Sequence, residues 1–264
     1  MSRRSVALAL GLLCLPSIAW AGAWTLPEGT GQWLVTFTSS ASTNYFNNNS
    51  MLAPTARYDK DELAGLIEYG ITNRLTGIVS PSLQHIDIAP PTDAQRSGLG
   101  YTEFGARYAF LEDPTWVVSG QTTLRVPGTD QTSNPAAIGY TELEIDIRAL
   151  VGHNFSIYEM PAFLDVQIAE RVRTAGAPSE FRMDGTLGVK VFPKWTMLLQ
   201  SFNVFSEGAG IAIYGGSYDY EKLQLSALYT VAPNWWLQGG GFTAYAGRNA
   251  LQENGLVLGL WHQF

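Results

Sequence analysis

The most constraining feature of the sequence is an alternation of apolar and polar side chains that recurs along its length. Glu144 and Asp146, for example, alternate with Ile145 and Ile147. Because successive side chains of a β-strand point to opposite faces, such a stretch predicts a strand with one apolar and one charged face. Twelve strands are predicted in this way, at residues 32–41, 61–69, 75–86, 100–110, 115–126, 140–151, 162–173, 181–192, 195–205, 218–230, 235–245 and 254–264.

The connections between the predicted strands alternate in length. Those after odd-numbered strands are long and polar, as at residues 42–60 and 87–99, and those after even-numbered strands are mostly short, with residues 152–161 as a longer exception. An even number of strands with long loops at one end and short turns at the other is typical of a transmembrane β-barrel. The sequence therefore predicts an all-β fold, a single antiparallel up-and-down barrel of about 12 strands. The facing of strand 195–205 stays open.

The first 21 residues are predicted to be a cleaved signal peptide. Arg3 and Arg4 supply its basic start, residues 6–15 its apolar segment, and A-W-A at residues 19–21 the small residues of a cleavage site. Residues 22–264 would then form the barrel. Cys14 is the only cysteine, so residues 22–264 can form no disulfide and no thiolate metal site.

The composition agrees with a membrane barrel. Aromatic residues make up 12% of the chain, charged residues only 15%, and glycine is frequent. The mean hydropathy of +0.01 does not argue against a membrane, because alternating strands average to neutrality. A net charge of −7 without a basic stripe excludes nucleic acid as an expected partner.

The last strand ends on an aromatic residue after alternating leucines. Leu256, Leu258, Leu260 and Phe264 fall on one face of it. This pattern resembles the closing strand of Gram-negative outer-membrane β-barrels, which carries the signal read by the barrel assembly machinery. The resemblance implies that these four residues are an assembly signal. It also implies export through the periplasm to the cell outer membrane, where outer-membrane lipid and the assembly machinery are the expected partners.

Two further motifs carry a narrower resemblance. E-Y-G-I-T-N-R-L at residues 68–75 is followed by S-P-S-L-Q at residues 80–84, and A-W-T-L-P-E-G-T-G-Q occupies residues 23–32. These segments resemble poorly characterised outer-membrane barrels grouped with channels encoded near aromatic-degradation (meta-pathway) operons. The resemblance implies a porin-like protein, with small polar or aromatic solutes as expected partners.

Charged side chains on the polar faces are the predicted lining of the barrel lumen. They could form a closed ladder of salt bridges that stiffens the barrel, or a polar conduit for small solutes. A twelve-stranded barrel is narrower than a 16–18-stranded porin, which favours small solutes. The predicted lining residues are Glu68, Glu103, Arg107, Arg125, Glu142, Glu144, Asp146, Arg148, Asp165, Arg171, Arg173, Arg182, Asp184, Lys190 and Lys222.

The sequence offers no convincing catalytic or metal site. His85, His153 and His262 have no partner at a metal-ligand spacing, no His-x-Ser lies on a strand, and no G-x-S-x-G is present. No catalytic residue, metal or cofactor is predicted. The leading hypothesis is a non-enzymatic passive channel, and the alternatives are a structural or surface-interaction barrel with a closed lumen and, last, a membrane-embedded lipid hydrolase. Whether residues 22–31 plug the barrel is open.

Overall fold

The computed structural model describes residues 22–128, 134–137, 142–210 and 216–264. The predicted signal peptide therefore lies outside the described residues, as do the first two residues of the predicted sixth strand. The described residues are almost entirely β-structure, with one 3-10 turn at Pro135–Ala137. None of their helical structure is long and apolar enough to cross a bilayer.

Twelve long strands form the wall of the fold, and a two-residue strand, β12, lies in the last connection. In chain order the strands are β1 Gly31–Phe46, β2 Leu52–Thr72, β3 Leu75–Ile88, β4 Ala94–Glu112, β5 Trp116–Pro127, β6 Glu144–Ile157, β7 Met160–Arg173, β8 Glu180–Phe192, β9 Trp195–Ser206, β10 Asp219–Ala232, β11 Trp235–Arg248, β12 Ala250–Leu251 and β13 Asn254–Gln263. All twelve predicted strands are present.

The sheet closes on itself. Each long strand pairs antiparallel with the next, and β1 pairs with both β2 and β13. Gln32 in β1 lies opposite Glu68 in β2 and also opposite Gln263 in β13. At the seam, Gly31 and Phe264 exchange two backbone hydrogen bonds of 2.8 Å each. The predicted closed antiparallel barrel is confirmed, and each of its twelve long strands has a partner on both sides, as a lipid environment requires.

The two faces of the sheet differ in polarity. Outward-pointing Ile147, Leu225 and Leu258 expose 56%, 55% and 58% of their surface, whereas inward-pointing Glu144 and Asp146 are buried. Apolar side chains outside and charged ones inside are the arrangement that a bilayer stabilises.

The tight turns, the start of β1 and the end of β13 lie at the same end of the barrel, which we call the short-turn end. The opposite end is the long-loop end. Aromatic side chains of neighbouring strands contact each other on the outer face near the short turns. Trp116 stacks on His153 with ring centroids 3.9 Å apart, and Trp235 stacks on His262 at 4.1 Å. Amphipathic rings concentrated at one level are typical of an interfacial aromatic belt.

The prediction of a longer connection between the sixth and seventh strands, at residues 152–161, is wrong. β6 continues to Ile157 and β7 begins at Met160, so the connection is a tight turn at Tyr158 and Glu159, both with positive φ. Gly152 and Asn154 resemble turn residues in the sequence, yet both pair with β7.

The predicted loops at residues 42–60 and 87–99 are also mostly strand. β1 and β2 extend until only residues 47–51 separate them, and residues 89–93 separate β3 from β4. These extensions mix apolar and polar residues without regular alternation, as in L-A-P-T-A-R at residues 52–57. Backbone pairing continues there without the pattern by which the sequence identifies a strand.

The structure settles the facing of β9. Leu198 and Val204 point inward and are buried, while Leu199 between them points outward and is 43% exposed. Both faces carry apolar residues, which is why alternation did not distinguish them.

Candidate solute pathway through the barrel

The interior of the short-turn end is filled by residues 22–26, which we call the plug segment. Ala23, Thr25 and Leu26 are almost completely buried. The sequence left open whether residues 22–31 plug the barrel. The structure places the first five of these residues inside it, while Glu28 and Gly29 remain exposed.

Inward-pointing side chains of four strands hold the plug segment. The backbone N–H of Ala23 donates to Asp165 Oδ2 at 2.7 Å, and Ser119 Oγ donates to the Ala23 carbonyl at 2.7 Å. The N–H of Leu26 donates to Thr76 Oγ1 at 2.8 Å. Arg107 Nη1 donates to the Trp24 carbonyl at 2.8 Å. The segment adds no strand to the sheet, so its backbone polar groups are satisfied by side chains of the wall.

Trp24 fills the remaining apolar space at the same level. Its ring meets Phe163 edge to face, with centroids 5.8 Å apart, beside buried Leu198 and Leu228. Trp24 also packs against the buried cluster that contains Val117 and Leu150. Together with these side chains, Trp24 forms an apolar layer across the interior. The interior nearer the long-loop end is charged instead.

A buried ion pair supports the plug segment from the wall. Arg107 Nη2 lies 2.5 Å from Glu68 Oε1, and the two side chains are only 4% and 1% exposed. Gln32 Nε2 donates to the other Glu68 oxygen, and Gln121 Oε1 accepts from Arg107 Nε at 3.1 Å. Glu68 and Arg107, both predicted lining residues, therefore hold the plug segment and do not face open space.

Further toward the long-loop end, charged side chains of β4 to β8 form a continuous network. Arg125 bridges Glu103, at 2.7 Å, and Glu144. Arg171 lies 3.0 Å from Asp146, and Arg182 lies 2.9 Å from Glu180. The other predicted residues in the network are Arg148, 2.6 Å from Asp184, and Arg173, 2.8 Å from Glu144.

Hydrogen bonds connect this network to the plug segment. Arg148 Nη1 donates to Gln167 Oε1 at 2.6 Å, and Gln167 Nε2 donates to Asp165 Oδ1 at 2.5 Å. Asp165 in turn accepts from Ala23. Asp165 is thus the predicted residue at which the charged network meets the plug segment.

A cavity of about 450 Å³ opens on the long-loop side of the network; we call it the vestibule. Tyr218 donates to Glu180 Oε1 at 2.5 Å and accepts from Arg173 Nη1 at 2.8 Å. Burial, and next the charge of Glu180, raise the pKa of Tyr218, so its hydroxyl stays protonated. The charged and tyrosine residues that line the vestibule are Lys60, Glu62, Tyr101, Arg125, Glu144, Arg171, Arg173, Glu180, Arg182, Tyr218, Tyr220, Lys222 and Glu253.

Comparison with solved structures finds barrels of the same kind. An outer-membrane channel from Pseudomonas putida F1 superposes with a TM-score of 0.75 at 14% identity, covering 94% of this chain and all of that one. The NanC porin gives 0.53 at 9% identity, covering 87% and 98%. The translocator domain of the autotransporter NalP from Neisseria meningitidis gives 0.51 at 10% identity, covering 90% of each chain.

The chain has the fold of Gram-negative outer-membrane β-barrels. This is the class that the closing strand and the loop rhythm predicted. No family model matches the sequence, and no curated protein matches it by sequence. The likeness therefore rests on the shape of the barrel, and the identities of 9–14% carry no substrate from those proteins to this one.

Some predicted lining residues of this barrel lie apart from the network. Glu142 lies two residues before β6, because pairing with β5 and β7 starts only at Glu144. The predicted place of Glu142 on the sixth strand is therefore wrong. Lys190 lies near the short turn after β8 and forms no ion pair with any described residue. Lys222 lies in the vestibule, where it pairs with Glu253.

Sequence reasoning missed Glu180, Glu253 and Lys60 as members of the vestibule. Glu180 has the same inward parity as Arg182 and begins β8 one residue before the predicted start. Glu253 immediately precedes β13, in a connection that gives no alternation signal. The Lys222 ammonium lowers the pKa of Glu253 although burial alone would raise it, so this carboxylate stays ionised.

The histidines of the barrel lie on its outer face. His153 and His262 stack on tryptophans of the aromatic belt, and His85 Nδ1 lies 2.7 Å from Ser97 Oγ. The sequence did not reveal the last contact, because the two residues meet across β3 and β4. Within the described ranges, no group of three or more His, Cys, Asp or Glu side chains could hold a metal ion.

Proposed function

We propose that the protein is an outer-membrane channel through which small solutes pass by way of the vestibule. In this proposal the long-loop end faces the outside of the cell, and the plug segment closes the periplasmic end. The observation that carries it is the meeting of a charged vestibule with a closure built from five residues that are not part of the sheet. Two of the similar structures are described as a channel and a porin.

The closure is of a kind that can move without unfolding the barrel. The plug segment is joined to the wall covalently only through residues 27–30 before β1. Its other attachments are hydrogen bonds and the packing of Trp24, and each hydrogen bond contributes only about 0.5–1.5 kcal/mol net. Displacing the segment leaves every strand pairing intact, so opening costs far less than disrupting the wall.

Liposome swelling tests the proposal directly. Vesicles that contain the folded protein are expected to swell in an isosmotic small sugar such as arabinose, and more slowly in the trisaccharide raffinose, because a twelve-stranded barrel is narrow. Trp24→Ala is expected to increase the rate for arabinose. Trp116→Ala is the matched control, since Trp116 lies in the outer aromatic belt. If vesicles with the unmodified protein and vesicles with Trp24→Ala both swell no faster than empty vesicles, the channel is contradicted.

The closed structural barrel remains the alternative, and the near-complete burial of Ala23 and Leu26 favours it. The two hypotheses differ in one result. In a permanently closed barrel Trp24→Ala lowers stability without admitting solute, whereas in a channel it admits solute.

The lipid hydrolase is a further candidate only because of the contact between His85 and Ser97. Both side chains lie on the outer face, and Asp61 lies opposite His85 in the register of β2 and β3. Hydrolysis of phospholipid by the purified protein, abolished by Ser97→Ala and unaffected by Ser80→Ala, would support it. No release of fatty acid above a protein-free control would remove it.

A further inference from the structure

The walls of the vestibule carry more positive than negative groups. Six cationic side chains line it, against four carboxylates. Two of the cations are lysines with carboxylates of their own, Lys60 at 2.5 Å from Glu62 and Lys222 beside Glu253. The remaining cations are four arginines that share two carboxylates, namely Arg125, Arg171, Arg173 and Arg182 with Glu144 and Glu180.

The other counter-charges of these arginines lie outside the cavity wall. Arg125 lies 2.7 Å from Glu103, and Arg171 lies 3.0 Å from Asp146, yet neither carboxylate lines the vestibule. The guanidinium groups of Arg125 and Arg171 thus line the cavity, while the carboxylates of Glu103 and Asp146 do not. A cavity lined in this way, in a low-dielectric wall, has a positive potential and concentrates anions.

Arg182 has unused hydrogen-bonding capacity. Its Nη1 donates to Glu180 at 2.9 Å, but its buried Nε has no acceptor among the described residues. A guanidinium offers five N–H donors in a fixed fork, and buried donors without acceptors are costly. The Arg182 side chain is 16% exposed and lines the vestibule, so an anion there would contact its guanidinium and compensate part of the positive charge.

We propose that the vestibule is a binding site for a small organic carboxylate. The planar fork of a guanidinium matches the two oxygens of a carboxylate, which a spherical anion does not. A volume of about 450 Å³ is in the lower part of the range of small-molecule pockets, which limits the ligand to about one ring or a short chain. Tyr101 and Tyr220 add ring surface for the apolar part of such a molecule.

The inference deepens the proposed channel function and rests on it only for the onward passage of the bound anion. Binding itself requires no membrane, so it is measured on the purified full-length mature protein in detergent. Isothermal titration with benzoate is expected to show saturable binding, and benzamide, its neutral counterpart of the same shape, should bind at least about tenfold more weakly because the charge-assisted hydrogen bonds are lost. Raising the salt concentration should weaken benzoate binding through screening and competition by chloride.

Arg182→Gln locates the site. It should reduce benzoate affinity by about ten- to a hundredfold, the loss expected for one hydrogen-bonded charge. Arg57→Gln is the matched control, since Arg57 pairs with Asp59 on the surface, with 62% of its side chain exposed. The heat-dependent electrophoretic shift of folded barrels verifies folding. Should Arg182→Gln not fold, Arg182→Lys keeps the charge, loses the fork, and should bind benzoate several-fold more weakly than the unmodified protein.

Equal affinity for benzoate and benzamide, no benzoate binding by the unmodified protein, or undiminished binding by every folded Arg182 variant would overturn the carboxylate site. These outcomes are separate from those of the swelling assay. Benzoate binding by a protein that admits no sugar would retain the site and remove the channel. Swelling without benzoate binding would retain the channel and remove the carboxylate site.

Discussion

At the scale of single residues, the pair of Glu68 and Arg107 beneath the plug segment is expected to matter most for stability. Glu68→Gln keeps the shape of the side chain but leaves the Arg107 charge buried without its partner. Removing one member of a buried pair costs about 3–5 kcal/mol of unfolding free energy. The measurement is urea unfolding in lipid vesicles.

The exposed pair of Arg57 and Asp59 gives the control for that prediction. Asp59→Asn removes an ion pair of similar length, 2.6 Å, from the surface, where solvent screens the charges and such a pair contributes little to stability. Equal losses for Glu68→Gln and Asp59→Asn would show that the buried pair has no special part in holding the plug segment.

Gly152 makes room for Trp24. A Cβ at this position would lie 2.7 Å from the Trp24 ring and 2.6 Å from Val117 Cγ1. Gly152→Ala is therefore expected to displace the ring or destabilise the barrel by about 1–3 kcal/mol, as overpacking does. Gly185→Ala on β8 is the control, because its Cβ would meet nothing closer than 3.9 Å. The two variants are compared by urea unfolding and by arabinose entry, and identical behaviour in both would argue against a tightly packed Trp24.

At the scale of the strands, the closing strand combines structure with a proposed assembly signal. Leu256, Leu258 and Phe264 point outward and are more than half exposed, while the backbone of Phe264 joins Gly31 at the seam. We propose that this face is read during assembly. Phe264→Ala should reduce the folded fraction in the outer membrane several-fold, and Phe192→Ala, an equally outward ring near a short turn, should not. Equal folded fractions for both would refute a signal at the carboxyl end.

The strands were largely predictable because lipid and lumen impose opposite polarities on alternate residues. Where that contrast is missing, prediction failed. β9 carries apolar side chains on both faces, and the extensions of β1 to β4 mix apolar and polar residues without alternation. Gly152 and Asn154 resemble loop residues. Strand ends were therefore less certain than strand positions.

At the scale of the whole molecule, the sequence identified the charged residues of the interior but not their distribution along it. The alternation of side chains along the strands places Arg125 and Glu144 inside. It does not show that Glu68 and Arg107 lie beneath the plug segment while Arg182 faces the vestibule. That division depends on residues 22–26, whose contacts with Asp165 and Thr76 are long-range in sequence. No local pattern encodes them.

In the proposed channel, the interior of the barrel conducts once Trp24 no longer fills the short-turn end. Single-channel recording in planar bilayers, with unmodified protein, Trp24→Ala and Trp116→Ala compared at the same salt concentration, tests this most directly. We predict small or infrequent openings for the unmodified protein and for Trp116→Ala, and larger or more frequent openings for Trp24→Ala. Folded Trp24→Ala protein that shows no openings, or openings indistinguishable from those of the unmodified protein, would contradict the account.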